Sequence, residues 1–185
     1  MKRHLIIASL MMAAGTSTAF AAEEITAPLL DGHDTNIGQV TVSEIPSGVI
    51  LRVEAKNLTP GWHGMHFHEQ AECKGPDFTS SGSHVHNADK VVHGVRNAEA
   101  NDNGDLPNLY VNKDGSATVE LFSPLVSLTP GDSGDTSRPA LLDSDGSALV
   151  IHAQPDDYQS QPIGGSGDRV ACASLNGDNN NDNEE

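Results

Sequence analysis

The chain has 185 residues, a formal net charge of −16 at pH 7 and only 4% aromatic residues. That length suits one ordinary domain with a core of its own. With 26 acidic against 10 basic residues, charge alone excludes a grip on nucleic acid or on an anionic membrane.

Residues 1–21 read as a secretory signal peptide. Lys2 and Arg3 open it, Leu5 to Ala14 is apolar apart from Ser9, and Ala19-Phe20-Ala21 is a small-x-small cleavage site. The apolar run is shorter than the roughly 20 residues that span a bilayer. No later run is longer, so the mature protein is expected to have no membrane partner and to reside in the periplasm or outside the cell. Cleavage after Ala21 removes only Lys2 and Arg3 from the charge count, leaving 8 basic against 26 acidic residues and a charge of −18.

Short β-rich runs follow at 24–30, 37–43 and 49–55, with Val40 and Val42 alternating with polar neighbours and Pro46-Ser47-Gly48 as a break. Runs at 109–112 and 117–122 flank Lys113-Asp114-Gly115, a hairpin signal. A further run at 148–153 follows Asp145-Gly146. Long helical periodicity is absent. The pattern predicts an all-β antiparallel sandwich or barrel over residues 22–175. Two stretches, about 70–107 and 154–169, carry no strand pattern. Loops of that length in a compact domain are functional, or are held by metal or disulfide. Residues 176–185 are Asn, Asp, Glu and Gly only and are expected to form a disordered acidic tail. Cys73 and Cys172 are the only cysteines, and in an exported chain an even count reads as a disulfide.

Nine histidines are present, six of them between positions 63 and 93. Imidazole is the commonest side-chain metal ligand. On a strand, His66 and His68 point to one face while Phe67 turns to the other. Alone, such a pair is more readily two exposed strand histidines.

The surrounding string changes that reading. Gly61-Trp62-His63-Gly64-Met65-His66-Phe67-His68-Glu69 resembles the metal-binding strand of the copper/zinc superoxide dismutases, and the likeness continues in order. Gly82-Ser83-His84, Lys90-Val91-Val92-His93-Gly94, Gly104-Asp105-Leu106-Pro107-Asn108 and Leu149-Val150-Ile151-His152-Ala153 are similar to the family's later ligand segments. The stretch from Gly164 to Cys172 is similar to its C-terminal signature. The set spans most of the mature chain and points to the bacterial periplasmic type.

The resemblance implies a Greek-key fold with a metal-binding loop and a C-terminal anion-guiding loop. It implies one copper per subunit on His66, His68, His84 and His152, and one zinc on His84, His93 and Asp105. His84 would bridge the ions. Four imidazoles suit Cu(II), and an imidazole and carboxylate set suits zinc. Asp156 would hydrogen-bond His66 and His93 and fix their rings. Arg169 would guide the superoxide anion, with Lys74 adding local positive charge. The implied reaction cycles copper between Cu(II) and Cu(I), with His84 releasing copper and taking up a proton on reduction. His63 would brace loops, His33 would lie at the surface, and His86 has no counterpart in the pattern: it is a loop residue or an extra weak metal site.

The pattern departs at one place. The family's third zinc histidine falls at Asp102, three residues before Asp105. Either Asp102 binds zinc directly, or zinc is weak or absent. A non-enzymatic periplasmic copper/zinc binder on the same scaffold is the alternative function; it would lack a full copper set or Arg169. A zinc hydrolase would need an open zinc position with a base, and no His-Glu-x-x-His is present. Family members occur as monomers or homodimers, so a homodimer stays open.

Overall fold

The computed structural model describes residues 23–131 and 137–177. The leader assigned to 1–21 and most of the tail assigned to 176–185 lie outside the described residues.

The described residues form nine strands: β1 (Glu24–Asp31), β2 (Asn36–Ile45), β3 (Gly48–Ala55), β4 (Gly61–His63), β5 (Met65–His68), β6 (Leu109–Val111), β7 (Ala117–Ser123), β8 (Ser147–His152) and β9 (Arg169–Leu175). Seven make one sheet in the order β5-β8-β9-β1-β2-β3-β7, and β4 pairs with β6. Every strand pair is antiparallel. The chain reaches β5 from β3 and β8 from β7 by crossing between separated positions in the sheet, as a Greek key requires.

Alternation sorts the side chains. Ile25, Ala27 and Leu29 of β1 are buried, as are Val49, Leu51 and Val53 of β3. They share one core with Met65 and Phe67 of β5, Leu109 and Val111 of β6, and Leu149 and Ile151 of β8. The opposite face of β8 and β9 carries a second small cluster, Phe78, Ala148, Val150 and Cys172. The sheet is thus covered on both sides here, and the outer cover is the long loop after β5.

Two differences from the sequence reading stand out. The Lys113-Asp114-Gly115 turn forms, with Asn112 N–H donating to the Ser116 carbonyl at 2.8 Å, but it closes no hairpin. β7 pairs with β3 over seven residues, from Val49↔Ser123 to Ala55↔Ala117, whereas β6 is three residues long and pairs with β4. The longer ladder satisfies more backbone groups, so the turn passes the chain from one ladder to the other. A third long connection, between β7 and β8, also escaped the local pattern. It is tied down by Leu141 N–H to the Ser127 carbonyl (2.9 Å) and by buried Val126, Leu128 and Leu141. Among the described residues no helix is long and apolar enough to cross a membrane.

Candidate metal centre

β5 is an edge strand of the large sheet, and the loop that follows it folds back to cover its open side. Phe67 N–H donates to the Gly104 carbonyl and its own carbonyl accepts Val85 N–H, both at 2.9 Å. This satisfies the edge and sets His84 beside His68 and Asp105 beside His66. Gly104 is needed for the approach, because a β-carbon there would sit 2.4 Å from the Phe67 carbonyl oxygen. Phe67 itself points into the core, so His66 and His68 face outward under the loop. His152 ends β8, and its backbone N–H donates to the Gly64 carbonyl at 2.9 Å.

The four histidines His66, His68, His84 and His152 are all buried, and one donor atom from each lies within 4.8 Å of the others. In each ring one nitrogen is engaged. His66 Nε2 meets Asp156 Oδ2 at 2.9 Å, His68 Nδ1 donates to the Gly82 carbonyl at 3.0 Å, and His152 Nδ1 donates to the Gly167 carbonyl at 3.0 Å. His84 Nδ1 meets Asp102 Oδ2 at 2.7 Å. The other nitrogen of each ring, His66 Nδ1 and the Nε2 atoms of His68, His84 and His152, is buried without a hydrogen-bond partner among the described residues. Burial drives three of these rings toward the neutral form, His66 to about 3, His68 to about 2 and His152 to about 4. Four converging imidazole nitrogens fit one ion with a preference for nitrogen.

A second group shares His84. One donor atom each from His66, His84, His93 and Asp105 lies within 4.8 Å of the rest. His66 enters because its ring stacks on that of His84, with centroids 4.0 Å apart, but its Nε2 is taken by Asp156. Asp102 Oδ2 also lies beside this group, 2.7 Å from His84 Nδ1 and 3.4 Å from His93 Nδ1. Asp105 Oδ1 lies 2.6 Å from His93 Nδ1 and 3.8 Å from His84 Nδ1. Tetrahedral zinc with bonds near 2.0 Å sets its donors about 3.3 Å apart, and these four separations scatter about that value. Burial lowers the tendency of His93 to hold a proton, but Asp102, Asp105 and Asp156 overcome it and lift the ring to about 11. A cation in this pocket would take the proton's place.

Asp156 bridges the two groups from behind, through His66 and through His93 Nε2 at 3.2 Å. Burial disfavours its charge, yet hydrogen bonds from His66 and His93 hold its carboxyl well below the usual carboxylate range.

A cavity of about 330 Å³ opens beside the first group, lined by His68, His84, His86, Val91, Ile163 and Arg169 among others. The Arg169 guanidinium donates to the Phe78 carbonyl (2.6 Å), Ser81 Oγ (3.0 Å) and the Gly82 carbonyl (2.8 Å). Cys73 is bonded to Cys172 across a Cα–Cα distance of 5.6 Å, which ties this segment to β9.

The model of the copper/zinc superoxide dismutase family matches residues 36–175. The chain belongs to the copper/zinc superoxide dismutase family. A copper/zinc superoxide dismutase of Caulobacter vibrioides is 55% identical over 150 residues, 81% of this chain and 84% of that protein. A crystal structure of a superoxide-dismutase-like protein from Bacillus subtilis is 34% identical with a TM-score of 0.74, covering 84% of this chain and 99% of that one. The copper/zinc superoxide dismutase of Brucella abortus is 26% identical with a TM-score of 0.64, covering 83% and 99%.

Every site residue singled out in the sequence lies at or beside this centre except Lys74, His33 and the Cys73–Cys172 pair, which sits in the outer apolar cluster. Lys74 is exposed and paired with Glu72 at 2.7 Å, which offsets its charge, and it does not line the cavity. His33 is exposed, as expected. His63 is buried with Nδ1 2.6 Å from the His152 carbonyl and Nε2 2.8 Å from the Thr59 carbonyl, a brace between strand and loop. His86 lines the cavity and donates from Nδ1 to the His84 carbonyl at 2.7 Å, outside both donor groups.

Sequence reasoning missed the residues that hold Asp156 and His93. Asn108 exchanges two hydrogen bonds with the Asp156 backbone, at 2.9 and 2.8 Å. Gln161 does the same for His93, at 3.0 and 2.9 Å. Asn108 lies in the Gly104–Asn108 motif and was findable there; Gln161 carries no local signal.

Proposed function

We propose that this chain disproportionates superoxide: two anions and two protons give dioxygen and hydrogen peroxide. The observation that carries the reading is the set of four buried imidazole nitrogens, unpartnered among the described residues, beside a cavity that Arg169 lines. We assign copper to His66, His68, His84 and His152, and zinc to His84, His93, Asp105 and Asp102. Bound copper supplies one-electron exchange with superoxide, and bound zinc holds His84 in place.

The chain's own residues do the rest. Arg169 offers a permanent positive charge at the cavity wall, where a small anion must overcome a protein of net charge −16. Its ties to Phe78, Ser81 and Gly82 fix the guanidinium, so little freedom is lost when an anion docks. His84 presents Nε2 to the copper group and Nδ1 to the zinc group. Nε2 would be the atom that holds a proton for peroxide whenever it is released from the copper group. Asp156 sets which nitrogen of His66 keeps its hydrogen, leaving Nδ1 as the donor atom.

The protein acts in the periplasm or outside the cell. The Cys73–Cys172 disulfide supports an oxidising compartment. The test is metal analysis with a superoxide assay on wild type and His152→Ala. Wild type should bind copper and turn over superoxide, and the variant should lose both. Copper binding by wild type without turnover overturns the enzyme reading in favour of a metal binder.

A further inference from the structure

We propose that His86 is a landing ligand for copper: it holds the incoming ion in the cavity before the ion passes to the four buried imidazoles. The inference rests on the copper assignment above and adds how that group is filled.

The four nitrogens assigned to copper are buried, on residues no more than 6% exposed. An ion must shed most of its water before it meets them, and that loss is costly for a dication. The cavity outside them opposes entry further, because Arg169 lines it. A guanidinium that draws in an anion repels a cation in the same space. Loading therefore calls for a ligand outside the buried group.

His86 is placed to be that ligand. It lines the same cavity as His68 and His84, yet it is only half-buried and stands outside both donor groups. Its Nδ1 donates to the His84 carbonyl at 2.7 Å. A carbonyl oxygen can only accept, so Nδ1 carries the hydrogen of the neutral ring and Nε2 carries a lone pair. His86 Nε2 has no hydrogen-bond partner among the described residues, and unlike the four inner nitrogens it is not closed off from solvent. Imidazole is a good copper ligand, so Nε2 can replace one water while the rest of the ion's shell is intact. The bond to the His84 carbonyl ties the ring to the residue that both donor groups share. Because His86 is not in the final set, it changes how fast copper arrives and leaves, by the same factor in each direction, and leaves the affinity alone.

The test is stopped-flow mixing of protein carrying one zinc per chain with Cu(II) in glycine buffer, followed by the copper visible absorption. Wild type, His86→Asn and His68→Ala are compared. His86→Asn keeps a side-chain N–H for the His84 carbonyl and removes the imidazole lone pair. The wild-type rate should level off as copper rises, since binding at His86 precedes transfer. The His86→Asn rate should stay linear and lie about tenfold lower, with final spectrum and equilibrium affinity unchanged. Equal rates in the two proteins overturn the relay. A changed final spectrum or affinity in His86→Asn overturns it too, because His86 would then belong to the bound centre. His68→Ala should keep the first contact and lose the final spectrum; a final spectrum that survives this change overturns the underlying copper assignment instead.

Discussion

Gly164 lies so close against Asp156 that a β-carbon on it would sit 1.7 Å from Asp156 Oδ1 and 2.9 Å from His93 Nε2. Its φ of +61° is also one that side chains resist. The loop before β9 therefore presses bare backbone onto the carboxylate that orients both metal groups. Gly164→Ala should displace Asp156, free the His66 and His93 rings, and weaken metal binding about 10–100-fold. The left-handed backbone adds a stability cost of about 1–2 kcal/mol. Isothermal titration of the metal-free variant with zinc checks the first effect. Unchanged affinity would show that Asp156 is not held in place from this side.

Arg169 reaches three acceptors through a planar fork that lysine cannot reproduce. Arg169→Lys should keep both metals and a positive charge but lower kcat/KM by about tenfold or more, with the salt dependence unchanged. Metal content measured alongside activity separates this from damage to the centre. Full activity in the lysine variant would mean that charge alone suffices.

Removing the Cys73–Cys172 bridge should cost about 2–5 kcal/mol, since it closes a span of 99 residues. The same change frees the loop segment that supplies Phe78, Ser81 and Gly82 to Arg169. The double Cys→Ser variant should thus lose activity at temperatures where it is still folded. Parallel loss of activity and circular dichroism would argue against this second effect.

The metal-free protein should be most stable near neutral pH. His66, His68 and His152 are held below their ordinary value of about 6.5 by burial, so their contribution is full above that pH and is lost as pH falls toward about 3, 2 and 4. His93 runs the other way. Burial lowers its pKa, but its carboxylate partners raise it to about 11, so its contribution is full below about 6.5 and fades as pH rises toward 11. Thermal melts after chelation should show Tm falling on both sides. A flat Tm from pH 4 to 6.5 would contradict the acid limb.

Much of this was legible in the chain. Strands such as β2 and β3 announce themselves by alternation, and the His66–Phe67–His68 triplet places two rings on one face because strand geometry has period two. Asp102 was findable from its offset to Asp105. What stayed hidden depends on pairing across the sequence. The partner of β6 is decided by ladder length and not by its adjacent turn. Lys74 has a neighbour, Glu72, that offsets its charge. The close approach of Gly164 to Asp156 exists only once two loops are packed together.

Four imidazole nitrogens from two strands and one loop are assigned to a single ion. Electron paramagnetic resonance of the protein loaded with one Cu(II) and one zinc tests it most directly. The expected spectrum is a single copper species with splitting from several nitrogens, lost in His68→Ala and in His152→Ala alike. A spectrum dominated by oxygen ligands, or one indifferent to both substitutions, would contradict it.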